Sequence, residues 1–350
     1  MKIGIMTFHW ATNHGAVIQA YALQKFLEES IEEAEVKIID YYPSRYEKGY
    51  KSVFRSLNPS AIKKNYKEYR KEKLIKPFRE KMPMTNHFTD TEELKSYAND
   101  FDIVICGSDQ IWNEFFTLHG EGKVTTAYYL SFCPKSKKIA YAASFGFDSM
   151  NDEIQKIITP LLIEFNAISV RENSAKEILS KIGIQSEKVC DPTFLLNKEH
   201  YVSLSNFRVK DDFIAKYILR KQTSKSNNLI ESIIDIMHCN KIIDIEMMTV
   251  ENWLGAIKEA HYCITNSFHC TVFSIIFHTP FYVIAENGKR SGMNDRLITL
   301  LDDLQLTNRI INSPSDIKNS EDINWAVVDN KLNEIVKASK CFIYKNCFLG

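Results

Sequence analysis

Short, almost wholly apolar runs alternate along this chain with longer stretches whose apolar residues recur at helical spacing. The first run, Lys2–Phe8, predicts a buried strand, and the polar stretch His9–Gly15 follows it. Over Ala16–Glu29, the positions Val17, Ile18, Tyr21, Ala22, Leu23, Phe26 and Leu27 make one stripe of a helix. Val36–Ile39 predicts a second strand. Strand, loop, helix and strand in such close succession form a βαβ unit, which requires a parallel sheet.

The rhythm resumes further on. Strands are predicted at Phe101–Cys106, Lys138–Ala143, Ala167–Val170 and Val189–Cys190. Helices fall between them over Asp152–Glu164 and Ser174–Ile182, the second closed by Gly183. The second half repeats it, with strands at Phe213–Ile218, Lys241–Ile245, Tyr262–Thr265 and Phe281–Ile284. Its predicted helices are Asn227–His238, Val250–Ala260, Thr271–Phe277, Arg296–Leu304 and Asn324–Ser339.

The predicted fold class is therefore α/β, with two Rossmann-like doubly wound domains facing a cleft. The expected domains are residues 1–192 and 193–350, with a last helix that can pack back on the first domain. Ligands of open parallel sheets bind beyond the carboxyl ends of the strands, so the segments just after strands hold the candidate chemistry. Residues 44–81 break the pattern, with many Lys and Arg among Glu and Tyr, and predict one or two surface helices inserted in the first domain. That face is either simply solvated or a basic patch for a phosphorylated or lipid-linked acceptor.

Composition narrows the picture. With 45% hydrophobic residues, the 350-residue chain can build real cores and is not disordered. Lys plus Arg equals Asp plus Glu, at 44 each, so no bulk charge draws it to nucleic acid or to an anionic membrane. An anionic ligand has to be held by a local cluster. The eight cysteines form no C-x-x-C pair and are expected to be thiols. No metal-binding motif is present, so neither metal nor cofactor is expected. The opening strand is no signal peptide, and no apolar run is long enough for a transmembrane segment, so a cytoplasmic location is expected. Nothing in the sequence speaks to oligomeric state.

After the first strand come Asn13 and His14, at a helix start suited to an anion or a sugar; the alternative is a capping Asn13 and a surface His14. After the third strand come Ser108, Asp109, Gln110, Trp112 and Asn113. Their hydrogen-bonding groups and one stacking ring suit a carbohydrate; the alternative is a helix cap with Trp112 in the core. The small residues Ala142–Gly146 follow the next strand and would allow close approach of backbone to a ligand. Arg171 directly follows a buried strand, where it must pair with a carboxylate of the protein or with a ligand anion. Asn266, Ser267 and His269 lead into a helix whose positive end lowers an imidazole's pKa and attracts phosphate, which makes His269 a catalytic candidate; a structural histidine is the alternative. Lys289, Arg290 and Arg296 lie close together between two glycines and a helix, as an anion clamp would; the alternative is a flexible surface loop with ordinary charges.

Taken in order, these pieces resemble the polysaccharide pyruvyl transferase family. They are the Lys2–Phe8 strand with the run Asn13–Leu23, then Gly107–Asn113, Tyr141–Gly146, Ser169–Glu172, Asp191–Thr193, Thr265–His269 and Asn294–Leu297. The resemblance implies a fold similar to the glycosyltransferase B arrangement. It implies transfer of a pyruvyl group from phosphoenolpyruvate to a sugar, lipid- or nucleotide-linked, as a ketal. It also implies that Arg171, His269 and a basic residue such as Lys289 or Arg290 serve the donor. The family often has a small residue after its histidine, where this chain has Cys270. A nucleotide-sugar glycosyltransferase and a non-catalytic glycan-binding relative share the same expected fold.

Overall fold

The computed structural model describes residues 1–46, 59–97, 99–115, 121, 124–147, 150–219, 224–239, 241–284, 294–318 and 321–348. The chain divides into two compact units. One comprises Met1–Leu195 with Ile335–Gly350, the other Leu196–Glu334.

The described elements of the first unit are β1 (Lys2–Met6), α1 (His14–Ser30), β2 (Glu35–Ile38), α2 (Pro59–Arg79), α3 (Thr91–Leu94), β3 (Ile103–Cys106), β4 (Lys137–Ala143), α4 (Asp152–Ile163), β5 (Ala167–Val170), α5 (Asn173–Lys181) and β6 (Glu187–Lys188). Six parallel strands form one sheet in the order β2-β1-β3-β4-β5-β6. The central strand β3 is buried throughout, because helices cover both faces of such a sheet. The chain leaves β1 on one side for β2 and returns past it to β3, so the crevice rule places a ligand site between β1 and β3. The last strand lies two residues earlier than its apolar pair Val189–Cys190 suggests. Val189 N–H still donates to Val170 O at 3.0 Å, but Cys190 N–H turns away to Ser339 Oγ at 2.9 Å.

The ladder between β4 and β5 shifts register between Ala140 and Ala143, where Ala142 takes a left-handed φ of 53°. Ser169 repairs the gap. Its hydroxyl donates to Ala140 O at 3.0 Å and accepts from Ala142 N–H at 3.2 Å.

The charged stretch after β2 contains α2; residues 47–58 lie outside the described residues. Lys71, Ile75 and Phe78 form its buried side, and the Phe78 ring meets the Tyr21 ring of α1 edge-on at 5.2 Å. Arg79, at the end of α2, donates to the carbonyls of His9 (2.8 Å), Trp10 (3.2 Å) and Ala11 (3.4 Å). The helix thus clamps the loop after β1.

In the second unit the described elements are α6 (Lys198–Leu204), β7 (Ile214–Tyr217), α7 (Ser224–Ile236), β8 (Ile242–Asp244), α8 (Val250–Glu259), β9 (Tyr262–Thr265), α9 (Phe268–Phe277), β10 (Phe281–Ile284), α10 (Asp295–Asp303), β11 (Ile310–Ile311), α11 (Pro314–Lys318) and the start of α12 (Trp325–Cys347). From Ile335 onward α12 belongs to the first unit. Five parallel strands run in the order β11-β10-β9-β7-β8. Here the reversal of winding falls between β7 and β9.

Candidate functional site

In the first unit, the loops on either side of the reversal point are joined through Thr7. Its hydroxyl donates to Ser108 O at 2.9 Å and accepts from Gln19 Nε2 of α1 at 2.8 Å. Asn13 caps α1, its Oδ1 accepting from the N–H groups of Gly15 (2.9 Å) and Ala16 (3.4 Å). His14 begins the helix and is buried, so it is not the surface histidine of the alternative reading. The carbonyl of Asn13 is thus engaged in the cap, and the alternative reading of that residue describes its geometry.

After β3 the backbone turns sharply at Asp109, which has a φ of 79°. A non-glycine residue there stores roughly 1–2 kcal/mol of strain, which its surroundings must impose. The surroundings are visible: Asp109 O accepts from Ser144 N–H at 3.1 Å, and its Oδ1 accepts from Gln110 N–H at 2.8 Å. Asn113 Nδ2 donates to Gln110 Oε1 at 2.8 Å. This amide pair rests on Gly146, whose φ is 73°. A Cβ there would stand 2.6 Å from Gln110 Oε1 and 2.8 Å from Asn113 Nδ2.

Trp112 corrects the expectation of a sugar-stacking ring. It is 1% exposed, stacks on Tyr129 at 5.8 Å and donates from Nε1 to Tyr128 O at 3.2 Å. The turn at Asp109 directs the indole under the sheet's end, into the core. Such a ring is worth about 3–5 kcal/mol to folding, and no face of it remains for a ligand.

Arg171 sits at the end of β5 and is buried. Its Nη1 donates to Asp191 Oδ2 at 2.7 Å and to Ser108 Oγ at 3.3 Å. Ser108 Oγ in turn donates to Asp191 Oδ2 at 3.1 Å. Asp109 and Glu172 carboxylates lie 3.9 Å from the guanidinium. Asp191 also accepts from the N–H (3.1 Å) and hydroxyl (2.7 Å) of Thr193. One arginine among three carboxylates gathers Ser108, Asp109, Glu172 and Asp191 into a single network.

Beside the same reversal point, Asp40 accepts from His9 Nε2 at 2.9 Å and His87 Nδ1 at 3.0 Å. Burial pushes the Asp40 carboxyl up, but the bonds and charges of His9 and His87 outweigh it and hold the carboxyl below its ordinary value. Sequence reasoning missed this trio. Its members lie far apart in the chain, and only the parallel pairing of β1 with β2 brings His9 to Asp40.

In the second unit, Asn266 bridges the two loops of the reversal point, its Oδ1 accepting from Leu219 N–H at 2.9 Å. Ser267 caps α9 by accepting from Cys270 N–H at 3.4 Å, and Ser267 N–H donates to Thr265 Oγ1 at 2.9 Å. The helix therefore starts at Phe268, three residues before the position that periodicity suggests. His269 lies within its first turn and is buried, its ring meeting Phe268 edge-on at 5.2 Å. Arg296, at the start of α10, lies over the other side chain of that pair, 5.7 Å from the Phe268 ring centre. Asn266, Ser267, His269 and Arg296 are thus brought to one place, whereas Lys289 and Arg290 lie outside the described residues. Cys270 is buried, and burial pushes its thiol well above the ordinary value. Among the described residues no group of His, Cys, Asp or Glu is placed to hold a metal ion. Nor is any described helix long and apolar enough to cross a membrane.

Two parallel-sheet α/β domains, each with polar residues at its winding reversal, define a protein of glycosyltransferase B-like fold. Solved structures share it at very low identity. UDP-GlcNAc 2-epimerase from Neisseria meningitidis bound to UDP-GlcNAc is 9% identical with a TM-score of 0.50, covering 99% of this chain and 100% of that one. The S. aureus MnaA–UDP co-structure is 11% identical, with a TM-score of 0.50, covering 100% and 98%. Arabidopsis thaliana UGT89C1 is 7% identical, with a TM-score of 0.50, covering 98% of each. None of the curated proteins matches the sequence. Residues 13–288 match the family described as polysaccharide pyruvyl transferase, and the chain belongs to that family.

Proposed function

We propose that the chain transfers a pyruvyl group from phosphoenolpyruvate to a sugar of a polysaccharide or glycan precursor, forming a pyruvate ketal. The observation that carries this reading is the placement of His269. It lies in the first turn of a capped helix, three residues after Asn266 and against Phe268, the ring that Arg296 covers, in a chain of this family.

The donor carries a carboxylate and a phosphate. Arg296, Ser267 and the first turn of α9 suit those anions, and Lys289 and Arg290 add charge from the same stretch of sequence. A proton delivered to the methylene carbon of the donor leaves positive charge on the neighbouring carbon. A sugar hydroxyl adds there and loses its proton. The C–O bond to phosphate then breaks, a second hydroxyl of the sugar adds in its place, its proton passes to the released phosphate, and the ketal closes. One donor and one sugar thus give one ketal and one inorganic phosphate. His269 is the group assigned to proton transfer, a contribution of about a hundred- to ten-thousand-fold.

In the first unit, Asp109, Gln110 and Asn113 are assigned to the sugar's hydroxyls. Asp109 is partly exposed, and its strained backbone is the kind of feature that active sites retain. Arg171 is assigned a positioning role: its bond to Asp191 supports holding Ser108 and Asp109 in place rather than meeting the donor.

The test is phosphate release from phosphoenolpyruvate across a panel of lipid- and nucleotide-linked sugars. Release that requires an acceptor supports the reading. No release, together with tight binding of a UDP-sugar, would replace it with glycosyl transfer.

A further inference from the structure

Helix α2 has a second face that stands exposed among the described residues. Its inner side is built from Lys71, Ile75 and Phe78. At 100° per residue, Ile62, Tyr66 and Tyr69 fall on the opposite side, at the i, i+4, i+7 spacing of a single apolar stripe. All three side chains are exposed, at 42%, 55% and 39%. The stripe is turned away from the core, and its regular spacing sets it apart from scattered surface residues.

The charges around the stripe are of one sign. Lys63, Lys64, Lys67, Arg70, Lys73 and Lys76 are all exposed. The helix's two carboxylates are drawn inward instead. Glu68 accepts from Thr12 Oγ1 at 2.8 Å, and Glu72 pairs with Arg79 at 2.7 Å. Lys76 lies 3.5 Å from Glu80, just past the helix, so the basic character concentrates between Lys63 and Lys73. Lys73 Nζ stands 4.7 Å from the centre of the Tyr69 ring, which places cation and aromatic at the same height. The chain as a whole is neutral, so this excess is local.

A basic helix with Ile and Tyr along its outer ridge fits an interface in which cations meet phosphates and short apolar groups sink among headgroups. A soluble polyanion would satisfy the lysines and leave Ile62 and the tyrosine rings in water. We propose that this face of α2 docks the protein on an anionic phospholipid surface. The docking surface is independent of the reaction assigned above, and its test reads binding rather than turnover.

The test is co-sedimentation of the full chain with phosphatidylcholine vesicles, with and without added phosphatidylglycerol. Two triple variants are compared: Lys63→Glu, Lys67→Glu and Arg70→Glu together, and Ile62→Ser, Tyr66→Ser and Tyr69→Ser together. All six positions are exposed, and an unchanged thermal transition checks that folding survives. The unsubstituted protein is expected on the anionic vesicles and not on the neutral ones. Charge reversal should weaken partitioning by at least on the order of a hundredfold, from three cations near a charged surface. The serine variant should lose the part of the binding that persists at raised salt, where surface charge is screened. Binding that ignores phosphatidylglycerol, absence of binding, or a charge-reversed variant that binds like the parent would overturn the proposal. Equal binding of parent and serine variant, to vesicles and to dextran sulfate alike, would also overturn it and assign the face to soluble polyanions.

Discussion

Arg171 and Asp191 meet at 2.7 Å with both side chains almost completely enclosed, and Ser108 lies within hydrogen-bond distance of both. The pair ties the ends of β3 and β5 to the chain beyond β6. A buried ion pair owes its value to its completeness, because one partner left alone keeps its desolvation cost. Arg171→Ala would leave Asp109, Glu172 and Asp191 facing one another. The expected loss is about 3–5 kcal/mol in urea unfolding. Arg171→Lys should recover only part of it, since one ammonium cannot reproduce the guanidinium's planar fork. A loss under about 1 kcal/mol, the scale of an exposed pair, would contradict the account.

Ser169 gives a smaller and sharper prediction. Its hydroxyl is the hydrogen-bond partner seen for Ala142 N–H at the β4 irregularity, within the core. Ser169→Ala removes that acceptor, together with the bond to Ala140 O. The expected cost is about 1–3 kcal/mol, the penalty of a buried polar group left without its bond. Amide exchange should show Ala142 losing protection first. An Ala142 amide that keeps its protection in the variant would argue that the shifted ladder can close without the hydroxyl.

The Asp40 carboxyl sets a dependence on pH. Its folded value is depressed, so its contribution to stability is fully present above the unfolded value, about 3.9. The contribution is lost as pH falls through the lower folded value. The stability gap between the parent and Asp40→Asn should therefore be constant in mildly acid solution and close at lower pH. Urea unfolding across that range measures it. A gap that persists below the folded value would show that His9 and His87 hold the loop without the carboxylate's charge.

Much of the fold was legible because fully buried parallel strands leave uninterrupted apolar runs. Tyr262–Thr265, Phe281–Ile284 and Ala167–Val170 are strands over the residues that the pattern marks. Two-residue β11 and four-residue α3 are too short to show a period. The start of α9 lies earlier than the pattern suggests because Ser267 and Thr271 give its first turn the composition of a loop; the cap at Ser267, three residues before Cys270 N–H, is the signal that locates it. Trp112 shows a different limit. Period and composition place a residue on an element, but a turn with a left-handed residue decides which way the next ring points. Sequence alone gives Asp191 no role, because its partner Arg171 is 20 residues away and only the β5–β6 pairing makes them neighbours. The exposed stripe of α2 was readable in spacing, but that its face is turned away from the core required the packing of Ile75 and Phe78.

The most direct measurement is acceptor-dependent release of phosphate from phosphoenolpyruvate by the parent protein and by His269→Ala, with His269→Gln as a second variant of closer size. The account predicts release by the parent, and a fall of about a hundred- to ten-thousand-fold in both variants at an unchanged unfolding midpoint. Near-parental release by either folded variant would contradict it and remove His269 from the proton transfer.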